Sequence, residues 1–414
     1  MEQYHYSDLL IIGGGASGLA AAISVKRTAP QKSVCILERN TRLGKKILMT
    51  GNGRCNLSHH PVTRDKYYGS VASHVPWILS HTPSTEDFFA SLGLYTQSDS
   101  EGRVYPYSNA ASSVLDALRF SISSLGVDVA CNCMVTHIAK EATTGQFVVD
   151  STCGIWHSQA VIIATGGCAA PKTGSDGTLY AVLADLGHTI VPMQPALVPF
   201  YIQDPIMTQL HGVRVQGCVS AYDARSQCIA SEFGEIQFRQ QMLSGICVMN
   251  LSVRCLENAP AYLSLDVLPN ENSEQTRAKL WMIYSARSSW NLEDWLTGLF
   301  PQKICMPLLR ACSISKANTD PVYMLEPSDI DRVADICHHW QLQVRCRGGW
   351  QDAQISTGGI SNTEIDENLQ STIIPGLFFA GESLDVYGEC GGYNLDWAWR
   401  SGQYVGTYVV KTLA

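Results

Sequence analysis

The stretch Asp8-Leu-Leu-Ile-Ile-Gly13-Gly14-Gly15-Ala16-Ser17-Gly18, continued by Leu19-Ala-Ala-Ala-Ile-Ser-Val-Lys-Arg27, decides the fold. A short apolar run stops at glycine and gives way to an alanine-rich segment of good helix propensity, which reads as strand, turn, helix. Ser33-Val-Cys-Ile-Leu-Glu38 is a second short β-branched run. It completes a βαβ unit of about 30 residues and predicts a parallel sheet. The turn carries G-x-G-x-x-G. With 34 glycines in the chain, that pattern arises by chance roughly 0.23 times, so its context has to decide. The match falls where a strand becomes a helix, and Glu38 ends the next strand about 20 residues later, the spacing of a ribose-binding carboxylate. Gly13, Gly15 and Gly18 then give a tight turn, close backbone approach to a pyrophosphate, and close helix-to-strand packing. Ala16 and Ser17 open the helix, whose unpaired N–H groups and partial positive charge favour phosphate. Glu38 would accept from ribose hydroxyls and repel a 2′-phosphate, which suits FAD or NAD over NADP and leaves those two open.

Working outward, the chain of 414 residues has room for two to three domains. Charged residues make up only 16%, against about 25% in typical soluble domains, so much of the chain is interior or ligand-facing. The formal charge is −8, with no block of like charge, which argues against nucleic acid as a partner. Leu9 to Val25 follows Glu2 and Asp8, lacks a basic leader and contains four glycines. It reads as part of the fold and not as a signal peptide. No apolar run reaches about 18 residues without interruption, so no membrane partner is expected. Fifteen cysteines without a regular spacing read as reduced thiols of a cytoplasmic protein.

Further along, helices are expected at Ser84 to Leu92 and Ala110 to Leu125, and strands at Val127 to Ala139, Gln146 to Asp150 and Trp156 to Ala164. The last strand ends at Thr165-Gly166-Gly167. From Val191 the prolines 192, 195, 199 and 205 and the alternating runs Val213 to Tyr222 and Cys228 to Ile236 mark a new, β-rich domain. Its later part predicts helices at Gln275 to Ala286, Leu292 to Leu299 and Ser328 to Trp340, with Ser328 as N-cap. Glycine-rich turns from Gly348, a strand at Gly376 to Ala380 and a helix from Leu395 to about Val410 return the chain to the first domain. The division is therefore 1–190 with 348–414, interrupted by 191–347, which is β-rich over 191–270 and mostly helical over 271–347.

The segment Arg42-Leu-Gly-Lys45-Lys46-Ile-Leu-Met-Thr-Gly51-Asn52-Gly53-Arg54-Cys55-Asn56 is one of a long ordered series. The others are Arg103-Val-Tyr-Pro, Ala164-Thr165-Gly166-Gly167, Thr173-Gly-Ser-Asp-Gly-Thr-Leu-Tyr180, Pro195-Ala-Leu-Val-Pro, Gly234-Glu-Ile-Gln-Phe, Pro375-Gly-Leu-Phe-Phe-Ala-Gly381-Glu382 and Gly391-Gly392-Tyr393-Asn394-Leu395-Asp-Trp-Ala398. Together they resemble the FAD-binding oxidoreductases of the glutathione-reductase-like superfamily. The likeness is closest to the NAD(P)/FAD-dependent family of bile-acid-type reductases and aminoacetone oxidases. The resemblance implies an α/β architecture, a Rossmann-like FAD-binding domain interrupted by a β-rich insert with a helical subdomain. It also implies non-covalent FAD. Gly381 and Glu382 would meet the ribityl or pyrophosphate part, Gly392, Tyr393, Asn394 and Leu395 would lie along the isoalloxazine, Val135 would touch adenine through its backbone, and Ala398 is a further implied cofactor contact. Arg39, Lys45, Lys46, Gly51, Asn52, Gly53, Arg54, Cys55, Asn56, Ala164, Thr165, Gly166 and Gly167 complete the implied cofactor contacts. Independently of the resemblance, Asn394 is a good N-cap residue, and Ala398, Gly402 and Gly406 give the last helix a bare face for close packing. Its positive end would favour the negative charge that reduction places on a flavin.

No residue declares itself catalytic, and no metal is expected: His211, His338 and His339 lack ligand spacing, and no nucleophile elbow or Walker loop occurs. Cys131-x-Cys133 has the wrong spacing for a redox pair, and a strand would point both thiols to one face. Cys390 stands where the family usually has threonine. In the insert, Arg239, Met242 and Ile246 depart from the family pattern, although Leu243-Ser244-Gly245 is kept. No second G-x-G-x-x-G follows a later strand, so any NAD(P)H would dock transiently as electron donor. The expected activity is hydride transfer between flavin and a small or medium organic substrate held between the domains, in a cleft near Tyr105, Tyr107, Tyr387, Tyr393 and Trp397. An enone-like substrate reduced with NAD(P)H fits the reductase branch. Amine oxidation by oxygen fits the other branch, and a non-catalytic flavin-binding protein is the remaining alternative. A tRNA-modifying flavoprotein is disfavoured by the charge.

Overall fold

A computed structural model describes residues 3–413. The chain divides into two compact units, one running to Pro195 and resuming at Ala353, the other spanning Ala196–Asp352.

The first unit is built on a seven-stranded sheet. Its centre is Tyr4–Ile12, flanked by Val34–Leu37 and Gly154–Ile163, with Asp128–Ala130 beyond one neighbour and Leu377–Phe379 on the other, all pairing in parallel. Leu9, Leu10 and Ile11 are fully buried, as expected where helices cover both faces of a parallel sheet and the strands read as continuous apolar runs. Phe147–Ser151 and Val135–Lys140 add antiparallel to Gly154–Ile163. This is the Rossmann-type arrangement that the opening stretch predicts. The expected strand Val127 to Ala139 is broken: Cys131 and Cys133 lie in the loop between Asp128–Ala130 and Val135–Lys140, around Asn132 at φ 55°. They do not share a strand face.

The helix Ala16–Thr28 packs along the last helix, Tyr393–Val409. A Cβ on Gly402 would stand 2.3 Å from the Ser17 carbonyl oxygen, and one on Gly406 would stand 2.4 Å from that of Ala21. The bare face read from the sequence thus brings the two helix backbones together.

The second unit closes six strands into a barrel, in the order Phe200–Ile202, Met242–Ser244, Cys228–Arg239, Arg214–Tyr222, Tyr262–Asp266, Trp340–Arg347. Its core joins Phe200, Phe238, Leu263 and Trp340 to the helical part, where Trp295 and Ile304 are fully buried. The helices are Ile246–Arg254, Ser273–Ala286, Gln302–Ala311 and Pro327–His339. Within 271–347 the final segment Trp340–Arg347 is a strand, paired to Tyr262–Asp266. Leu292 to Leu299 forms only a 3-10 turn at Leu292–Asp294. Ser328 is not a cap, because Pro327 already occupies the first turn and Glu326 takes the cap position in a reciprocal capping box with Asp329. His338 is structural: it is buried between Thr276 (Nε2 to Oγ1, 2.9 Å) and Asp266 (Nδ1 to Oδ1, 3.1 Å).

Candidate dinucleotide site

The carboxyl ends of the parallel strands in the first unit carry the segments singled out above, where open α/β sheets bind nucleotides. Gly13 follows Tyr4–Ile12 at φ 107°, and a Cβ there would collide with the Ala164 carbonyl oxygen at 2.5 Å. Gly18 is bare because a Cβ would stand 2.0 Å from the Gly13 oxygen. Gly15 differs, since nothing lies within 4 Å of where its Cβ would be. It caps a helix that receives no side-chain hydrogen bond at its N-terminus and carries no acid in its first turn. That opening is the cradle a pyrophosphate requires, and the helix end supplies N–H donors and positive potential.

Glu38 is buried at the end of its strand. Its Oε2 accepts from the Gly14 N–H at 2.9 Å, and its Oε1 accepts from Asn40 N and Nδ2 at 2.8 and 2.7 Å. The carboxylate is thereby fixed beside the glycine turn. Val135 begins the nearby edge segment, reached through Cys133, whose N–H donates to the Glu38 carbonyl at 2.9 Å.

On the other flank, Ala164, Thr165, Gly166 and Gly167 continue from Gly154–Ile163, and a Cβ on Gly167 would meet Ser356 Oγ at 2.3 Å. Gly381 follows Leu377–Phe379 at φ 70°, its N–H donating to Ser401 Oγ and its carbonyl accepting from Trp397 Nε1. Glu382 is engaged with the protein: Oε1 accepts from Ser356 N at 2.7 Å and Oε2 pairs with Lys46 Nζ at 2.9 Å. Lys45 donates to the Lys172 carbonyl, and Arg39 pairs with Asp176. Ser356 and Asn40, which organise both flanks, carry no motif and escape a reading from sequence.

A third group surrounds the start of the last helix. The N-cap is Gly392, at φ 113°, and not Asn394. Asn394 lies inside the first turn, where Oδ1 accepts from Gly388 N at 2.7 Å and Nδ2 donates to the Gly388 carbonyl at 2.9 Å. A Cβ on Gly392 would strike the Ser58 carbonyl oxygen at 2.2 Å and approach Asn56 Oδ1 at 2.9 Å. Tyr393 stacks on His59, with ring centroids 4.8 Å apart. Among the described residues, Asn56 Oδ1 and His59 Nδ1 are buried with no hydrogen-bond partner. Burial holds the His59 imidazole below its usual value. Gly51, Asn52, Gly53 and Cys55 all have left-handed backbones, which turn the chain around Arg54. Leu395 and Ala398 extend the helix behind them. Of the five expected cleft aromatics, Trp397 is core, being 2% exposed and bonded to Gly381, while Tyr107 is 71% exposed. Tyr387 stacks on Tyr68, and Tyr105 lies under Arg54.

The donor set fits a flavin dinucleotide. It offers a helix terminus for phosphate, a fixed carboxylate for ribose, and orphaned polar atoms beside a second helix terminus.

The chain is similar to known proteins over nearly its whole length. Residues 7–408 match the family model described as HI0933-like protein Rossmann domain. The chain is 34% identical over 403 residues to 3-dehydro-bile acid delta(4,6)-reductase of Clostridium scindens, covering 96% of this chain and 97% of that protein. It is 25% identical over 403 residues to ribosomal RNA dihydrouridine synthase of Haemophilus influenzae, covering 96% of each. Among solved structures, 3-ketosteroid delta1-dehydrogenase of Sterolibacterium denitrificans in complex with 1,4-androstadiene-3,17-dione superimposes with a TM-score of 0.55. That match has 12% identity over 98% of this chain and 100% of the other, and it speaks for the fold alone.

Proposed function

The chain belongs to the HI0933-like protein family and is a flavin-dependent oxidoreductase, and from that premise we propose that it holds FAD non-covalently and reduces an activated carbon–carbon double bond in a small or medium organic substrate. The open cradle at Gly15, set between glycines that the protein itself fills, is the observation that carries the cofactor assignment. Bound FAD supplies hydride chemistry. Around it, Glu38 would bind ribose, the N-terminus of Ala16–Thr28 would bind pyrophosphate, and Gly392 would let the last helix approach the ring system.

The enone-like substrate is supported by the relative at 34% identity, whose name describes reduction of conjugated double bonds. The dihydrouridine synthase relative is named for the same kind of change, since dihydrouridine is uridine with one ring double bond saturated. A formal charge of −8 without a basic stripe supports a small molecule over RNA for this chain. NAD(P)H is the proposed donor, docking transiently because the sequence has no second dinucleotide motif. Anaerobic mixing tests the reading. Bleaching of the flavin by NADH or NADPH, followed by reoxidation with a planar enone, is the expected result. Bleaching by an amine with peroxide formed on admitting air would replace it with amine oxidation, and reoxidation by uridine-containing RNA alone would replace it with RNA modification.

A further inference from the structure

Two arginines lie on and beside the short sheet formed by Ser58–His59, Arg103–Pro106 and Thr96–Ser98. Arg103 is spent on the protein: Nε pairs with Asp99 Oδ2 at 2.7 Å and Nη1 with Glu101 Oε2 at 3.1 Å. Arg54 is not. Among the described residues no carboxylate lies within ion-pair distance of it, although the chain as a whole is acidic. Its guanidinium lies 4.4 Å from the centre of the Tyr105 ring, and Nη2 donates to the Tyr105 oxygen at 3.4 Å. The phenol therefore accepts from a cation and keeps its own O–H to give away. At 3.4 Å the contact is long, so it orients the phenol more than it polarises it. Burial pushes the phenol above its usual range, so it stays protonated and remains a donor at neutral pH.

The position is tied to the helix start. Tyr105 follows Val104, which pairs with Ser58, and the adjoining His59 pairs with Arg103 and stacks on Tyr393 just after Gly392. A Cβ on Gly51, which precedes Arg54 in the left-handed run, would stand 3.6 Å from Tyr105 Cε1. That spacing is ordinary contact, and the glycine is required instead by its φ of 56° and by Asn56 N, which a Cβ would approach to 2.8 Å.

We infer that Arg54 and Tyr105 together form a site for a substrate oxygen that becomes anionic, the carbonyl oxygen of the conjugated system. This rests on the reading proposed above. Bound reduced flavin would supply hydride; its addition to the β-carbon would form a C–H bond there and move the π electrons onto the carbonyl oxygen. Water or a nearby acid then returns a proton to the α-carbon, which completes the saturated ketone. Donors placed where charge develops, and not where it starts, lower the barrier. The guanidinium N–H groups and the Tyr105 O–H supply those donors, and both are present before substrate arrives.

The test uses the FAD-loaded protein and a nitrophenol, whose neutral and ionised forms absorb differently and whose anion mimics the enolate. Binding to the wild-type protein should convert the dye to its anion, lowering its apparent pKa. Compared at equal flavin occupancy, R54Q should weaken anion binding by at least about tenfold, and Y105F by less. R54K should recover part of the loss. Equal ionisation of the dye by wild type and R54Q would overturn the inference, as would loss of flavin from R54Q, which would assign Arg54 to the cofactor. If the anion binds through Arg54 but no double bond is reduced, the oxyanion site stands and the proposed reaction falls.

Discussion

The Gly14 N–H and the Glu38 carboxylate meet at 2.9 Å, 24 residues apart in sequence, so the turn that would cradle phosphate and the acid that would bind ribose are one hydrogen-bonded unit. Because Asn40 donates twice to the other oxygen, Glu38→Ala strips an acceptor from three donors at once. The apo-protein should lose about 1–3 kcal/mol of stability, and FAD affinity should fall about ten- to a hundredfold. Thermal melts with and without FAD, together with equilibrium dialysis of the flavin, separate the two effects. Unchanged flavin retention would remove Glu38 from the site.

The wild-type protein should purify yellow, and acid precipitation should leave its FAD in the supernatant. None of the described histidines or cysteines is arranged as a metal cluster, and all fifteen cysteines are free thiols. Flavin carried into the pellet would show a covalent link.

Gly15 and Gly18 should part company on mutation. A methyl group at Gly15 meets open space and at Gly18 meets the Gly13 carbonyl at 2.0 Å. Gly18→Ala should cost about 1–3 kcal/mol, because backbone must move. Gly15→Ala should leave apo stability within about 0.5 kcal/mol, yet crowd the phosphate and weaken FAD binding. The same melting loss in both variants would mean that the cradle at Gly15 is only structural.

This pair also shows how far the sequence can be read. The strand, turn, helix and distant acid were legible because the backbone itself demands glycine at fixed offsets and periodicity marks the elements. The roles of Ser356 and Asn40 were not, since a hydroxyl or amide that bonds a distant N–H leaves no local pattern. Asn394 misled for a related reason. It has the right chemistry for a cap, but the left-handed Gly392 starts the helix two residues earlier and leaves Asn394 to hold Gly388. Trp340–Arg347 followed a helical run and became a strand because the barrel needed a sixth member to close.

Thiol chemistry should spare the site. Burial pushes Cys55 up to about 12 and Cys390 up to about 11, leaving well under about 1% thiolate at neutral pH. Brief iodoacetamide treatment followed by peptide mapping should label the exposed Cys228 and Cys346 first and leave flavin content unchanged. Early modification of Cys55 with loss of colour would contradict the packing around the left-handed loop.

Asp396 gives the last prediction, because it is fully buried in the first turn of the last helix. Its Oδ1 accepts from Ser58 Oγ at 2.7 Å and Thr85 Oγ1 at 2.6 Å, and Oδ2 lies 3.7 Å from Arg400 Nε. Burial raises its carboxyl above the usual range, and Arg400 pulls back without cancelling that effect. A folded value above the unfolded one contributes stability that is fully present below the unfolded value and is lost as pH rises through the folded one. Asp396→Asn keeps an acceptor for the two hydroxyls and removes the titration. Wild type should therefore compare best with the variant in acid and progressively worse toward neutral pH, measured by urea unfolding at matched ionic strength. If the difference runs the other way, Arg400 holds Asp396 ionised, and Ser58 and Thr85 donate to a carboxylate.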